Sequence, residues 1–350
     1  MHMADALISP AVGGALWVAT AATTVYCAKK VREESDQGKV PLMGVTGAFI
    51  FAAQMINFTI PGTGSSGHLG GGLILALLLG PEAAFLVMAS VLGVQALFFA
   101  DGGLLALGAN IFNLGFFPAF IALPFVYRTI AGAAPTRGRV IAASLAAVTV
   151  GLQLGAFGVV LETVASGISE LPFSAFVLAM QPIHLAIGIV EGLVTAGVVL
   201  FVMAAQPDML ARISERKALS GVRLKPVLIG LAIAAVVAGG ALSWFASVNP
   251  DGLEWSMEKV AGKLEIEGSA GEAVHAASAS LQERTAFMPD YGFKSAAEPA
   301  GEEAAPAWPS VDAGTSVAGV VGGAITLAVA ALIGLALRRK RPNTEAPAAS

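Results

Sequence analysis

The sequence predicts an all-α fold: a polytopic helical membrane protein of about nine transmembrane helices, with its N-terminus outside and its C-terminus cytoplasmic. Three observations carry that expectation. Of 350 residues, 56% are hydrophobic and only 13% charged, with a mean hydropathy of +0.76, whereas soluble domains run about 25% charged. Apolar runs near 20 residues recur along the chain, the length a helix needs to cross a bilayer. Lys and Arg fall in four tight sets between these runs rather than evenly, as the positive-inside tendency requires.

Taken in order, residues 9–28 form the first span, followed by Lys29, Lys30, Arg32 and Lys39. Positive charge after the apolar run, not before it, argues against a cleaved signal peptide and places the start of the chain outside. Residues 41–60 return outward, and the stretch from Pro61 to Gly72, rich in Gly and Ser around His68, then lies on the outer side. Residues 69–80 are apolar, but twelve helical residues reach only about 18 Å against a hydrocarbon core of about 30 Å. Either this helix is not a full span or the loop before it dips into the membrane. Pro81 and Glu82 read as a helix start. Residues 82–100 run outward to Asp101, residues 103–126 inward to Arg128, Arg137 and Arg139, and residues 140–161 outward. Residues 176–205 come inward to Arg212, Arg216, Lys217, Arg223 and Lys225. That closes a seven-helix unit over residues 1–210, with 211–225 as a cytoplasmic linker.

A second unit follows over residues 226–341. Its two spans, 226–248 and 314–337, flank an outer loop of residues 249–313 with twelve acids and four bases. The acids are read as keeping this loop solvated, and 295–313 as linker. Residues 342–350 are a polar, disordered tail. Every Lys and Arg outside the long loop falls on the inner side in this arrangement. No nucleic-acid partner is expected, and the lone Cys27 excludes an internal disulfide.

The chemistry gathers at two places. A histidine at position 2 can close fused chelate rings on one metal through its Nδ1, its own backbone nitrogen and the amine of Met1. A fourth nitrogen must come from elsewhere, and His68 is the best candidate. Nitrogen ligands in a planar array suit Ni(II) or Cu(II). The Gly-rich stretch around His68 is not a phosphate loop, which needs Lys where His68 stands. His184 and Glu191 lie seven apart, on one helix face, and ionisable residues inside a membrane are candidates for function; a buried polar network that orients ligands is the expected role. Gln54, Asn57 and Ser66 stand within reach of the same loop. Gly44, Ala48 and Ala52 form a small-residue stripe that invites helix contact, as do Ala11, Ala15 and Ala19.

These residues resemble a family. The start Met1-His2-Met3-Ala4-Asp5, the run from Phe51 through Gln54 and Asn57 to His68, Asp101-Gly102-Gly103 with Asn110, and His184 with Glu191-Gly192 are similar to the CbiM/NikM proteins. Those are substrate-specific components of energy-coupling factor transporters for cobalt and nickel. The second unit resembles the CbiN/NikN-type accessory segment through Pro250-Asp251-Gly252-Leu253-Glu254. The resemblance implies metal ligation by Met1, His2 and His68, no permanent cofactor, and Ni(II) or Co(II) as transported substrate. It implies as partners a transmembrane coupling protein, which the Gly44–Ala52 stripe would contact, and cytoplasmic ATPases, since the chain has no ATPase motif. The expected place is the inner (plasma) membrane. A self-sufficient secondary permease is the alternative, although no internal repeat supports it. A membrane enzyme lacks any nucleophile–base constellation here.

Overall fold

The computed structural model describes residues 2–34, 36, 38–169, 171–263, 273–293 and 308–338. Met1, part of the outer loop (264–272 and 294–307) and the predicted tail lie outside the described residues. The molecule is helical, with one small hairpin. In chain order the long elements are α1 (Pro10–Glu34), α2 (Lys39–Gln54), α3 (Gly72–Leu79), α4 (Pro81–Phe99), α5 (Leu107–Ala131), α6 (Arg137–Ser166) and α7 (Phe173–Ala205). The amphipathic α8 (Pro207–Ser214) leads into the accessory half: α9 (Lys225–Gly240), α10 (Gly252–Ala261), α11 (Ala273–Thr285) and α12 (Ala313–Leu337).

Each apolar run predicted as a span forms a helix, but among the described residues only α1, α4, α5, α6, α7 and α12 are long and apolar enough to cross a bilayer. Helices α2 and α9 have 16 residues each, about 24 Å of rise. The second span was expected to reach residue 60 and instead stops at Gln54. Phe58–Ile60 (β1) pairs antiparallel with Ser65–Gly67 (β2). The reversal between them turns on Gly62 and Gly64, both at positive φ, a conformation glycine adopts without steric cost.

The core is the middle of the cargo half. Helix α3 is eight residues long and buried on nearly every side, so the loop before it sits inside the protein, the only place irregular backbone survives at membrane depth. Helix α5 carries Pro118 and Pro124 and winds as a π-helix over Phe112–Tyr127. The wider turn accommodates rings that would clash in an α-helix. The accessory helices α9 and α12 pack on α2 from outside. A Cβ at Gly319 of α12 would collide with the backbone of Gly239 on α9, so this crossing depends on glycine at both positions.

The stripe on α2 therefore has an occupant. A Cβ at Gly44 would come 3.1 Å from the Leu327 carbonyl of α12, and Gly323 of α12 approaches Ala48. Ala52 is buried on the same helix. The face read from the sequence as a surface for the coupling protein is covered by the chain's own last helix, which the sequence could not place. On α1, Ala11 and Ala15 are exposed and Ala19 half-buried.

Candidate metal site

The N-terminal residues fold into the molecule instead of trailing outside it. Met3, Leu7 and Ile8 are fully buried. Asn110 of α5 grips the backbone at two points: its Oδ1 accepts from the Met3 N–H at 2.8 Å and its Nδ2 donates to the Met3 carbonyl at 3.0 Å. Gly103 N–H donates to the same carbonyl, and Asp5 accepts from Ala106 N–H. This clamp fixes where His2 stands.

The second histidine is held by a different set of groups. Just past His68, the N–H groups of Gly70 and Gly71 each donate to one oxygen of Glu191 at 2.8 Å. Gln54 Nε2 donates to the Gly70 carbonyl, and Gln95 Nε2 donates in turn to Gln54 Oε1. A buried carboxylate is tolerable when both its oxygens are satisfied. The sequence expectation of a polar network under the loop holds for Glu191 and Gln54. His184 takes a separate partner, the Met180 carbonyl at 2.7 Å through Nδ1, and lines a void of about 10 Å³ together with His68 and Asp251.

The two arms bring the imidazoles of His2 and His68 together, with ring centroids 4.9 Å apart. Nε2 of His2 is buried without a hydrogen-bond partner. Nδ1 of His2 lies 2.7 Å from Asp101 Oδ1, and Tyr291 OH donates to Asp101 Oδ2. The chelate read from the sequence uses that Nδ1. A metal bound through it must take the place of the Asp101 contact, a competition that spacing alone does not reveal. Burial would raise the Asp101 carboxyl, but its contact with the His2 ring and the hydrogen bond from Tyr291 outweigh it and hold it below the usual carboxylate range. Burial above all pushes His68 down to about 3, which favours the neutral imidazole that metals bind.

Among the described residues, no three His, Cys, Asp or Glu side chains converge as a metal cage. The two imidazoles open into a cavity of about 1070 Å³, whose lining includes Gln54, Asn57, Asp101, Asp251 and Tyr291.

The accessory half closes over this cavity, where the sequence reading expected solvated acids. Ser66 N–H donates to the Pro250 carbonyl and Ser66 Oγ to the Asn249 carbonyl, both at 2.8 Å. The Asn57 carbonyl accepts from Ser247 N–H at 2.7 Å, and Trp255 Nε1 donates to the Thr63 carbonyl. Asp251 Oδ2 comes 3.9 Å from His68 Nε2. Asp251 is thus drawn in, because the hydrogen bonds to the carbonyls of Asn249 and Pro250 seat the chain just before it on the loop. Sequence reasoning assigned no site role to Asp5, Gln95, Asn110, Asp251 or Tyr291. The Asp101-Gly102-Gly103 and Pro250–Glu254 motifs were the available signals.

A polytopic helical membrane protein with a buried two-imidazole site and a docked accessory segment is the class these features define. Residues 2–209 match the CbiM family, described as a cobalt uptake substrate-specific transmembrane region, and residues 225–339 match the PDGLE domain. The chain belongs to the CbiM family and carries a fused PDGLE domain. A relative from Archaeoglobus fulgidus, named as a fused nickel transport protein NikMN, is 34% identical over 97% of this chain and 98% of its own length. The cobalt transport protein CbiM of Sorangium cellulosum is 33% identical over 61% of this chain and 96% of its own. The crystal structure of a truncated transition metal transporter superposes with a TM-score of 0.52 and 30% identity, over 58% of this chain and 99% of that one. These relatives are named as transport proteins, not enzymes.

Proposed function

We propose that this chain is the substrate-capturing membrane component of an ATP-driven importer of the energy-coupling factor type, taking Ni(II), with Co(II) as the competing cargo, from the outer side of the plasma membrane. The metal is held by the Met1 amine, the His2 backbone nitrogen and imidazole, and His68, in a planar nitrogen set. The observation that carries this reading is the approach of two buried imidazoles, delivered by separate arms of the chain and both facing one cavity. Nickel is favoured because planar nitrogen coordination suits it, and because the relative that shares both halves of the chain is named for nickel.

Charge parity supports nine crossings with the N-terminus outside and the C-terminus inside. The energy comes from partners, a transmembrane coupling protein and cytoplasmic ATPases. With the α2 stripe covered by α12, the exposed small residues of α1 are the better surface for the coupling protein. Metal analysis of the purified chain tests the reading. The wild type should carry about one nickel, and His2→Ala and His68→Ala should each carry none. Retention of nickel by both variants would refute the site. In vesicles the chain alone should not accumulate nickel down an ion gradient; accumulation without partners would make it a secondary permease instead.

A further inference from the structure

We propose that the fused accessory segment is a lid on the metal site and that Asp251 is its positioning residue, holding the His68 side of the cargo in place and slowing its loss. The inference rests on the metal reading above. The lid engages both imidazoles from one piece of chain. On the His68 side stands Asp251, 3.9 Å from Nε2. On the His2 side Tyr291 holds Asp101, which meets His2 Nδ1 here and would stand beside the metal once the metal takes that nitrogen.

The attachment is built and specific. The hydrogen bonds that tie residues 247–255 to the Asn57–Ser66 stretch include Ser247 N–H to the Asn57 carbonyl, Thr59 Oγ1 to Ser247 Oγ, Ser66 N–H to the Pro250 carbonyl, Ser66 Oγ to the Asn249 carbonyl, and Trp255 Nε1 to the Thr63 carbonyl. Two contacts of the Asp251 carboxylate matter here. Oδ1 caps α10, accepting from Leu253 N–H at 2.8 Å and Glu254 N–H at 2.9 Å, while Glu254 reaches back to Asp251 N–H in a reciprocal capping box. Oδ2 is the oxygen turned to His68. Gly252 is required beside it, since a Cβ there would meet Ile187 at 3.1 Å and the His184 ring at 3.2 Å. The motif therefore fits against α7 as well as against the loop.

The chemistry follows from charge. A divalent cation bound by neutral imidazoles and one deprotonated backbone nitrogen keeps a net positive charge. Burying that charge is unfavourable unless an opposite charge lies near. Asp101 answers it on the His2 side and Asp251 on the other. His68 Nδ1 lies 3.2 Å from the Leu69 carbonyl, so Nε2, the nitrogen that faces Asp251, is the one that would meet the metal. Asp251 then acts as a counter-charge beside the bound cation, and losing it should weaken metal affinity about 10- to 100-fold, the range typical of carboxylates around a metal site.

The test uses the full-length chain in detergent loaded with nickel, with dissociation followed by transfer to a coloured chelator. Asp251→Asn keeps the helix cap, because Asn caps as well as Asp, and removes the charge. Its nickel should leave about 10- to 100-fold faster, with the visible absorption band of the bound metal unchanged in position. Glu254→Gln removes one charge from the same motif but retains the capping box, and its nickel should leave at the wild-type rate. Wild-type dissociation from Asp251→Asn, or equal acceleration by Glu254→Gln, would overturn the role given to Asp251. A wild-type chain that binds no nickel would instead overturn the cargo reading, and the lid with it.

Discussion

The two halves of the chain are packed by different rules. In the cargo half, α3 and α4 bury Leu73, Ile74, Leu75, Phe85 and Phe99, large side chains that fill a three-dimensional core. In the accessory half, α12 buries only Gly314, Ala318, Gly319, Gly322, Gly323, Thr326, Ala330 and Gly334. Lipid offers apolar surface as favourable as another helix, so association there depends on close backbone approach, and α12 obtains it with small residues. The cargo half is a self-contained core with a site built into it. The accessory half is a layer laid on that core, and its contribution lies in the loop it carries to the site.

That contrast can be broken at either half. The largest effect is expected from Glu191→Ala. It leaves the Gly70 and Gly71 N–H groups buried without acceptors, at about 1–3 kcal/mol each. The thermal transition in detergent should fall and nickel binding should be lost. A stable, nickel-binding Glu191→Ala variant would mean the loop does not depend on this cradle. A smaller effect, about 1–3 kcal/mol for overpacking, is expected from Gly319→Val, which forces α12 away from α9. Here the accessory half should become protease-sensitive while the cargo half still binds nickel, though it should lose the metal faster. Loss of both halves together would show that they form one cooperative unit.

At neutral pH the smallest effect is the one set by protonation. His68 is held down to about 3 in the folded protein against an ordinary value of 6.5, so below 6.5 the unfolded chain takes up a proton that the folded chain refuses. Its contribution to stability is complete above about pH 6.5 and is lost as pH falls toward 3. In the metal-free protein, His68→Gln should flatten that part of the stability profile. An unchanged slope would place His68 in a wetter setting than the one described.

Much of the fold could be read from the sequence because bilayer thickness and charge placement constrain it. The apolar runs, the short third helix and the buried loop followed from length alone. The choice of His2 and His68 as candidate ligands came instead from the chelate chemistry open to a histidine at position 2 and from the family resemblance. What spacing could not give is contact at long separation. The grip of Asn110 on Met3, the bond from Tyr291 to Asp101 and the approach of Asp251 to His68 join residues about a hundred or more positions apart. No periodicity encodes them. The α2 stripe marked a real helix contact, but small residues announce a contact without naming the partner. The end of α2 at Gln54 was missed because Thr59 and Ile60 read equally well as apolar helix or as strand.

The central claim is that the start of the chain is itself a ligand, and a calorimetric titration of nickel tests it most directly. The chain beginning at Met1, with intact mass showing that Met1 is retained, is compared with the same chain preceded by a single glycine. The extension converts the Met1 amine into an amide and shifts the chelate rings, while His2, His68, Asp101 and the Asn110 clamp keep their identities. The account predicts tight, one-to-one binding to the native terminus and no measurable binding to the extended chain. Equal affinity for the two would contradict it.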